Sequence, residues 1–157
     1  MESLRDVAAL VGRILLAAIF VYSGLGKILH MSDFVGATSA HFANAGIPPI
    51  LVYPGLYLSA VIELGGGLLM IAGLKARWAA LIIFLWLIPV TLVFHFADYN
   101  QAVQQRQAMN AMIQQIMFLK NLAMMGGLLL LAALGPGGLS LDARSSASGM
   151  NAARRAA

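Results

Sequence analysis

The sequence predicts an all-α, polytopic membrane protein, with four transmembrane helices in an antiparallel bundle and a short interfacial helix between helices one and two. Of its 157 residues, 61% are apolar and 10% are charged, against roughly 45–50% and 25% in a soluble domain. A single domain of this length cannot bury so many apolar side chains in its own core, so much of that surface must face lipid. Only helices or closed barrels satisfy their backbone there, and the apolar residues fall into four runs.

The four runs are each long enough to cross a bilayer as a helix. They extend over residues 7–29, 51–74, 78–96 and 112–134, close to the roughly 20 residues that cross about 30 Å of hydrocarbon. A signal peptide is the competing interpretation of the first run, because small residues follow it. The run is too long for a signal peptide, so we expect it to remain as a helix.

The connecting segments predict how the runs are joined. Ser32 before Asp33 is typical of a helix start, and Gly46 before Pro48 is typical of a stop, so residues 33–45 are expected to form the interfacial helix. The link of residues 75–77 is so short that runs two and three must be antiparallel neighbours. Residues after 138 are expected to fray.

The distribution of Lys and Arg predicts the orientation of the chain in the membrane. Of the 10 cationic residues, three lie on the side of Lys27, and the others lie on the side of both termini: Arg5, Arg13, Lys75, Arg77, Arg144, Arg154 and Arg155. This excess predicts cytoplasmic termini. The net charge of +4 therefore indicates orientation, and no nucleic-acid partner is expected. The predicted domains are a transmembrane domain over 7–138 and a flexible cytoplasmic tail over 139–157.

Polar side chains inside the runs are costly, so each marks a candidate ligand-binding position. The candidates are Lys27, Glu63, His95, Lys120 and Asn121. Polar companions lie one or two helical turns away on the same faces: Ser23 for Lys27, Ser59 for Glu63, Thr91 for His95 and Gln114 for Asn121. These faces should converge on the bundle axis. Such a cluster suits a carbonyl-bearing head group, an anion or a proton path.

Structural interpretations compete with this one. Glu63 and Lys120 lie near mid-membrane on helices that are diagonal in a simple bundle, so they are expected to meet as an ion pair, which serves either a site or only helix register. Lys27 near a helix end is more typical of a side chain that reaches the interface. Arg13 is interpreted as an anchor, and His95 as either a ligand-binding residue or a polar helix exit.

Several chemistries are excluded or disfavoured. The chain has no cysteine, which excludes disulfides, iron–sulfur clusters and thiolate metal sites. The three histidines are scattered without carboxylates at ligand spacing, so no metal site is expected. No catalytic constellation is recognisable, which favours a membrane subunit or binding protein over a stand-alone enzyme. Glycines at 24, 26, 65–67 and 126–127 are interpreted as helix-packing positions rather than a cofactor cradle.

The order and spacing of short motifs over residues 10–142 resemble the DoxX family of small four-helix bacterial inner-membrane proteins. The motifs are Gly12-Arg13-Ile14, Ser23-Gly24-Leu25-Gly26-Lys27, Gly46-Ile47-Pro48, Glu63 before Gly65-Gly66-Gly67, His95-Phe96, Phe118-Leu119-Lys120-Asn121 and Gly135-Pro136-Gly137. The family takes its name from a subunit of an archaeal terminal quinol oxidase, and related subunits belong to a thiosulfate:quinone oxidoreductase. The resemblance implies quinone-linked electron transfer by association.

The functional hypothesis is a membrane subunit of a redox or oxidative-stress assembly that binds a quinone-like head group in the outer half of the bundle. Lys27, His95 and Lys120 would donate to its carbonyl oxygens, and Glu63 would orient Lys120 or relay a proton. Quinone is the one cofactor expected, and none is covalent. Expected partners are the lipid bilayer, other membrane or peripheral redox subunits, and a second copy of the chain. The alternatives are a non-catalytic scaffold and a small anion or proton transporter.

Overall fold

The predicted all-α class is confirmed. The computed structural model describes the backbone of residues 2–44 and 46–156, with side chains for 3–43 and 46–148, and these ranges contain no strand. The elements are α1 (Glu2–Leu29), α2 (Met31–Asn44), a 3₁₀ turn (Pro49–Leu51), α3 (Val52–Ala72), α4 (Ala76–Val90), a π-helical segment (Thr91–Phe96), α5 (Ala97–Gln104), α6 (Ala108–Leu134) and α7 (Leu141–Ala156).

The four predicted membrane spans are also confirmed. In the described part of the chain, four helical stretches are long and apolar enough to cross a membrane: Ser3–Leu29, Pro49–Ala72, Ala76–Gln104 and Ala108–Leu134. The third is longer than its apolar run, because α5 continues the helix into the segment between the third and fourth runs. Hydropathy locates the edge of the apolar layer, whereas the helix continues for as long as its backbone bonds can form.

The helices pack in the order α1, α3, α4 and α6, while α1 touches α6 only sparsely. The α1–α3 contact is close because Gly24 lies against the backbone of α3, where an added Cβ would be 2.6 Å from Leu64 N. Gly67 is likewise packed against Val21 of α1. The packing interpretation is therefore confirmed for these glycines, whereas Gly65 has open space where its Cβ would be.

One end of the bundle holds the beginning of α1, the α3–α4 turn and the beginning of α7; we call it the terminal end. There Arg13 is 3% exposed, and its guanidinium donates to Pro136 O at 2.6 Å and Leu139 O at 2.7 Å. The interpretation of Arg13 as an interfacial anchor is wrong, because the side chain fastens the turn after α6 onto α1. The Asp142 carboxylate accepts from the backbone N–H of Lys75 at 2.8 Å, which fixes the start of α7 to the α3–α4 turn.

The predicted tail after residue 138 contains helix α7. Its flexibility and the domain boundary at 138 stay predictions.

The opposite end of the bundle is covered by α2. The helix expected over 33–45 is present as Met31–Asn44, and residue 45 lies outside the described residues. Phe42 packs edge-on against Phe94 with ring centroids 5.6 Å apart, and His41 packs against the same ring at 5.4 Å. These contacts hold α2 against the π-helical segment, and its location at a membrane interface stays a prediction.

Candidate functional site

A cavity of about 740 Å³ occupies the half of the bundle toward the opposite end. Its wall includes all five sequence candidates, Lys27, Glu63, His95, Lys120 and Asn121. Most of the remaining wall is apolar, and pockets of about 300–1,000 Å³ with an apolar lining and a few placed polar groups are typical of small-molecule sites. The structure thus brings together residues from four spans, and ligand binding by them stays a prediction.

Glu63 is paired with Lys27 at one side of this cavity. Lys27 Nζ lies 2.5 Å from Glu63 Oε2, and both side chains are about 10% exposed or less. Lys27 also donates to Ser23 Oγ at 2.8 Å, and Ser59 Oγ donates to Glu63 Oε1 at 2.8 Å. The predicted Ser23 and Ser59 companions therefore make these contacts, and the interpretation of Lys27 as a side chain reaching the interface is wrong.

The expected Glu63–Lys120 pair is absent. The close approach of α1 and α3 at Gly24 places Lys27, one turn further along α1, opposite Glu63. Glu63 therefore pairs with a residue of the neighbouring helix α1, whereas the sequence predicted a partner on the diagonal helix α6.

Lys120 lies near the middle of its span without an oxygen acceptor. It is about 18 Å along the helix from Ala108, at 1.5 Å per residue. Its ammonium donates to Met117 Sδ at 3.4 Å, and a thioether is a weak acceptor. Among the side chains that the structure describes, no carboxylate forms an ion pair with it. The ammonium is therefore available to an acceptor in the cavity.

Trp86 carries a second donor without a partner, which was not among the residues predicted from the sequence. Its Nε1 is buried with no hydrogen-bond partner in the described part of the chain, and its side chain lines the cavity. Trp86 lies about 15 Å along the helix from Ala76, whereas membrane tryptophans are enriched at the interfaces, where the N–H is hydrated. A tryptophan in the middle of an apolar run was the available signal.

Two polar side chains of the π-helical segment contact residues of α6. The segment follows Pro89, which lacks a backbone N–H, and such wide turns are frequent at functional sites. Within it, Thr91 Oγ1 accepts from Asn121 Nδ2 at 3.0 Å, and His95 Nδ1 lies 2.9 Å from Gln114 Oε1. The companions predicted along single helices therefore pair between helices here.

Three further polar residues extend the site toward the opposite end, and all line the cavity: His41, Asp98 and Gln114. Gln114 Nε2 donates to Asp98 Oδ2 at 3.5 Å, and His41 Nδ1 lies 2.6 Å from the same oxygen. Asp98 is weakly indicated in the sequence, because it lies one turn after His95. The position of His41 depends on where α2 packs, which no local pattern determines. In the described residues, no group of three or more His, Asp or Glu side chains is arranged to bind a metal ion.

Comparison with known proteins agrees with this architecture. A family model described as DoxX matches residues 8–96, and the SURF4 family model matches residues 56–146. Inner membrane protein YqjF of Escherichia coli (strain K12) is 34% identical over 142 residues, which cover 90% of this chain and 95% of that protein. Inner membrane protein YphA of the same strain is 32% identical over 142 residues, covering 89% and 91%. No solved structure shows a significant match. With its four spans, the chain is a multi-pass inner membrane protein in contact with lipid.

Proposed function

Because this chain belongs to the DoxX family, we propose that its cavity binds a quinone-like head group and that the protein is a membrane subunit of a redox or oxidative-stress assembly. The motifs shared with the family support quinone-linked chemistry by association. The physical support comes from the polar groups of the cavity.

The observation that carries the proposal is the presence of two N–H donors without oxygen acceptors in the middle of the membrane. Lys120 Nζ has only a thioether partner, and Trp86 Nε1 has none in the described residues. A buried donor that lacks an acceptor costs about 1–3 kcal/mol. A carbonyl oxygen on a ring in this cavity removes that cost, while the apolar wall accepts the ring and the start of an isoprenoid tail.

The Lys27–Glu63 pair presents a third donor. A lysine ammonium has three N–H bonds, of which one is directed to Glu63 and one to Ser23. The remaining N–H can bind a ligand oxygen. In this proposal Glu63 orients Lys27, a different partner from the Lys120 expected from the sequence.

The proposed orientation places both termini in the cytoplasm and the cavity in the outer half of the membrane. The excess of Lys and Arg at the terminal end supports it. The chain has no cysteine, so single exposed cysteines can report it: Gln104→Cys should react with a membrane-impermeant maleimide in intact spheroplasts, and Ser148→Cys only after permeabilisation. The reverse labelling pattern would show that both termini lie outside the cytoplasm.

The proposed partners are other membrane or peripheral redox subunits. The chain has no thiolate ligands for a cluster, so another subunit must exchange electrons with a bound quinone. A second copy of the chain is the alternative partner. Cross-linking in membranes followed by mass spectrometry distinguishes the two, since a homo-oligomer yields only peptides of this chain.

The direct test is to purify the protein from membranes, extract its lipids and measure quinone per mole of protein. Binding of a short-chain benzoquinone to the delipidated protein in nanodiscs is the second measurement. Trp86→Phe should weaken binding, whereas Trp78→Phe, at a side chain that is 67% exposed, is the matched control. Absence of quinone in the extract together with no binding of the soluble analogue would leave a scaffold or a transporter.

A further inference from the structure

Asp98, Gln114 and His95 line the cavity toward the opposite end of the bundle. The direction of the hydrogen bonds between them can be assigned. Gln114 lies between Asp98 and His95, with its amide nitrogen 3.5 Å from Asp98 Oδ2 and its amide oxygen 2.9 Å from His95 Nδ1. An amide's two ends are assigned from their partners. An ionised carboxylate only accepts hydrogen bonds, so Asp98 requires the NH₂ group of Gln114 on its side.

His41 approaches the same carboxylate from a second helix. Its Nδ1 lies 2.6 Å from the same Asp98 oxygen, and its ring packs against Phe94. Because Asp98 requires the NH₂ group of Gln114, the Gln114 oxygen is left to face His95, which means that Nδ1 of His95 carries the hydrogen.

The consequence concerns the other nitrogen of the His95 ring. A neutral imidazole has one N–H and one unprotonated nitrogen that accepts, so a hydrogen on Nδ1 leaves Nε2 as an acceptor. No described residue is hydrogen-bonded to Nε2, and His95 lines the cavity. The cavity therefore offers an acceptor at His95, while Lys120 offers a donor.

We propose that His95 Nε2 accepts a hydrogen bond from a ring hydroxyl, so that the site takes the reduced, hydroquinone-type form of its ligand. Gln114 and Asp98 are positioning residues that set the His95 tautomer. This role reverses the donor role that the sequence predicted for His95. The ligand class rests on the proposed function, whereas the tautomer of His95 does not.

The tautomer is tested without any ligand. Solid-state NMR of protein with ¹⁵N-labelled histidine in nanodiscs, with His95→Phe to assign the signals, should show neutral His95 with the hydrogen on Nδ1. Gln114→Met removes the acceptor and should shift the population toward the Nε2–H form. Gln115→Met is the matched control, because its side chain is exposed, and should leave the signals unchanged. A wild-type ring that carries its hydrogen on Nε2 would overturn the proposal.

The ligand class is tested with a short-chain hydroquinone and its di-O-methyl ether under anaerobic conditions. The hydroquinone should bind roughly fivefold more tightly, the size of one neutral hydrogen bond, and His95→Phe should abolish that preference while still binding the ether. Equal binding of the two compounds to the wild-type protein would overturn the proposal although a ring-binding site exists. Binding of neither compound would overturn the proposed function and the ligand class together, and the NMR result would still decide the tautomer.

Discussion

Lys27 of α1 and Glu63 of α3 form a buried ion pair, with 2.5 Å between Nζ and Oε2. Each partner has a second polar contact to a serine one turn earlier on its own helix. Removing charges from water is expensive, and the attraction offsets that cost only when the geometry is good and the remaining hydrogen bonds are satisfied. The pair has good geometry and leaves one N–H of Lys27 without an acceptor. It also gives Lys27 a fixed position at the cavity wall.

The first prediction concerns this pair. Glu63→Gln leaves the Lys27 ammonium buried without its counter-charge and should lower the free energy of unfolding by about 3–5 kcal/mol. The double variant Lys27→Met with Glu63→Gln removes both charges and should regain most of that loss. Reversible unfolding in detergent, analysed as a double-mutant cycle, measures the coupling. Additive losses from the two single changes would contradict a direct pair.

The partner of Glu63 illustrates what the sequence can and cannot predict. The four spans were predictable because the hydropathy of a span is averaged over about 20 residues, so that a few atypical residues hardly change it. Membrane depth follows from residue count, so Glu63 was predicted near mid-membrane, and its side chain lines the cavity. Its partner depends on how each helix is rotated about its axis, and the rotation of α1 is set by the contact at Gly24. Because the residues in that contact are far apart in the chain, no periodic pattern in the sequence indicates it.

The second prediction tests this contact. Gly24→Ala places a Cβ 2.6 Å from Leu64 N and 2.9 Å from Ala60 O, both backbone atoms that cannot move away alone. The change should separate α1 from α3 and destabilise the protein by about 1–3 kcal/mol. Gly65→Ala is the matched control, because nothing lies within 4 Å of its Cβ. Equal melting temperatures for the two variants would rule out a packing role for Gly24.

The third prediction concerns the terminal end. Arg13→Met removes donors from Pro136 O and Leu139 O, and hydrogen bonds to a charged group contribute about 1.5–3 kcal/mol each. The turn before α7 should loosen, so trypsin should cleave after Arg144 faster than in the wild-type protein. Arg5→Met, at an exposed side chain, should leave the cleavage rate unchanged. Unaltered cleavage in Arg13→Met would mean that other contacts hold the turn.

The cavity itself was partly predictable. Lys120 and Asn121 were identified as candidates because they are polar residues inside an apolar run. Trp86 was missed because tryptophan is counted among the apolar residues. Gln114 was noted as a companion of Asn121, but its bond to His95 depends on the π-helical segment after Pro89. A widened turn changes which side chains face α6, and regular helical spacing cannot anticipate it.

The fourth prediction separates a ligand site from a scaffold at Lys120. Its only hydrogen bond in the described residues is to a thioether, so Lys120→Met removes a desolvated charge and should leave the melting temperature unchanged or raise it. If the ammonium binds a ring oxygen, the quinone recovered per mole of protein should fall severalfold, and Lys120→Arg should retain part of it. A scaffold gives the opposite pattern: the Lys120→Met variant would then keep the function of the wild-type protein. The two measurements on one preparation decide the question, because a stable protein that loses its ligand has lost a binding contact rather than its fold.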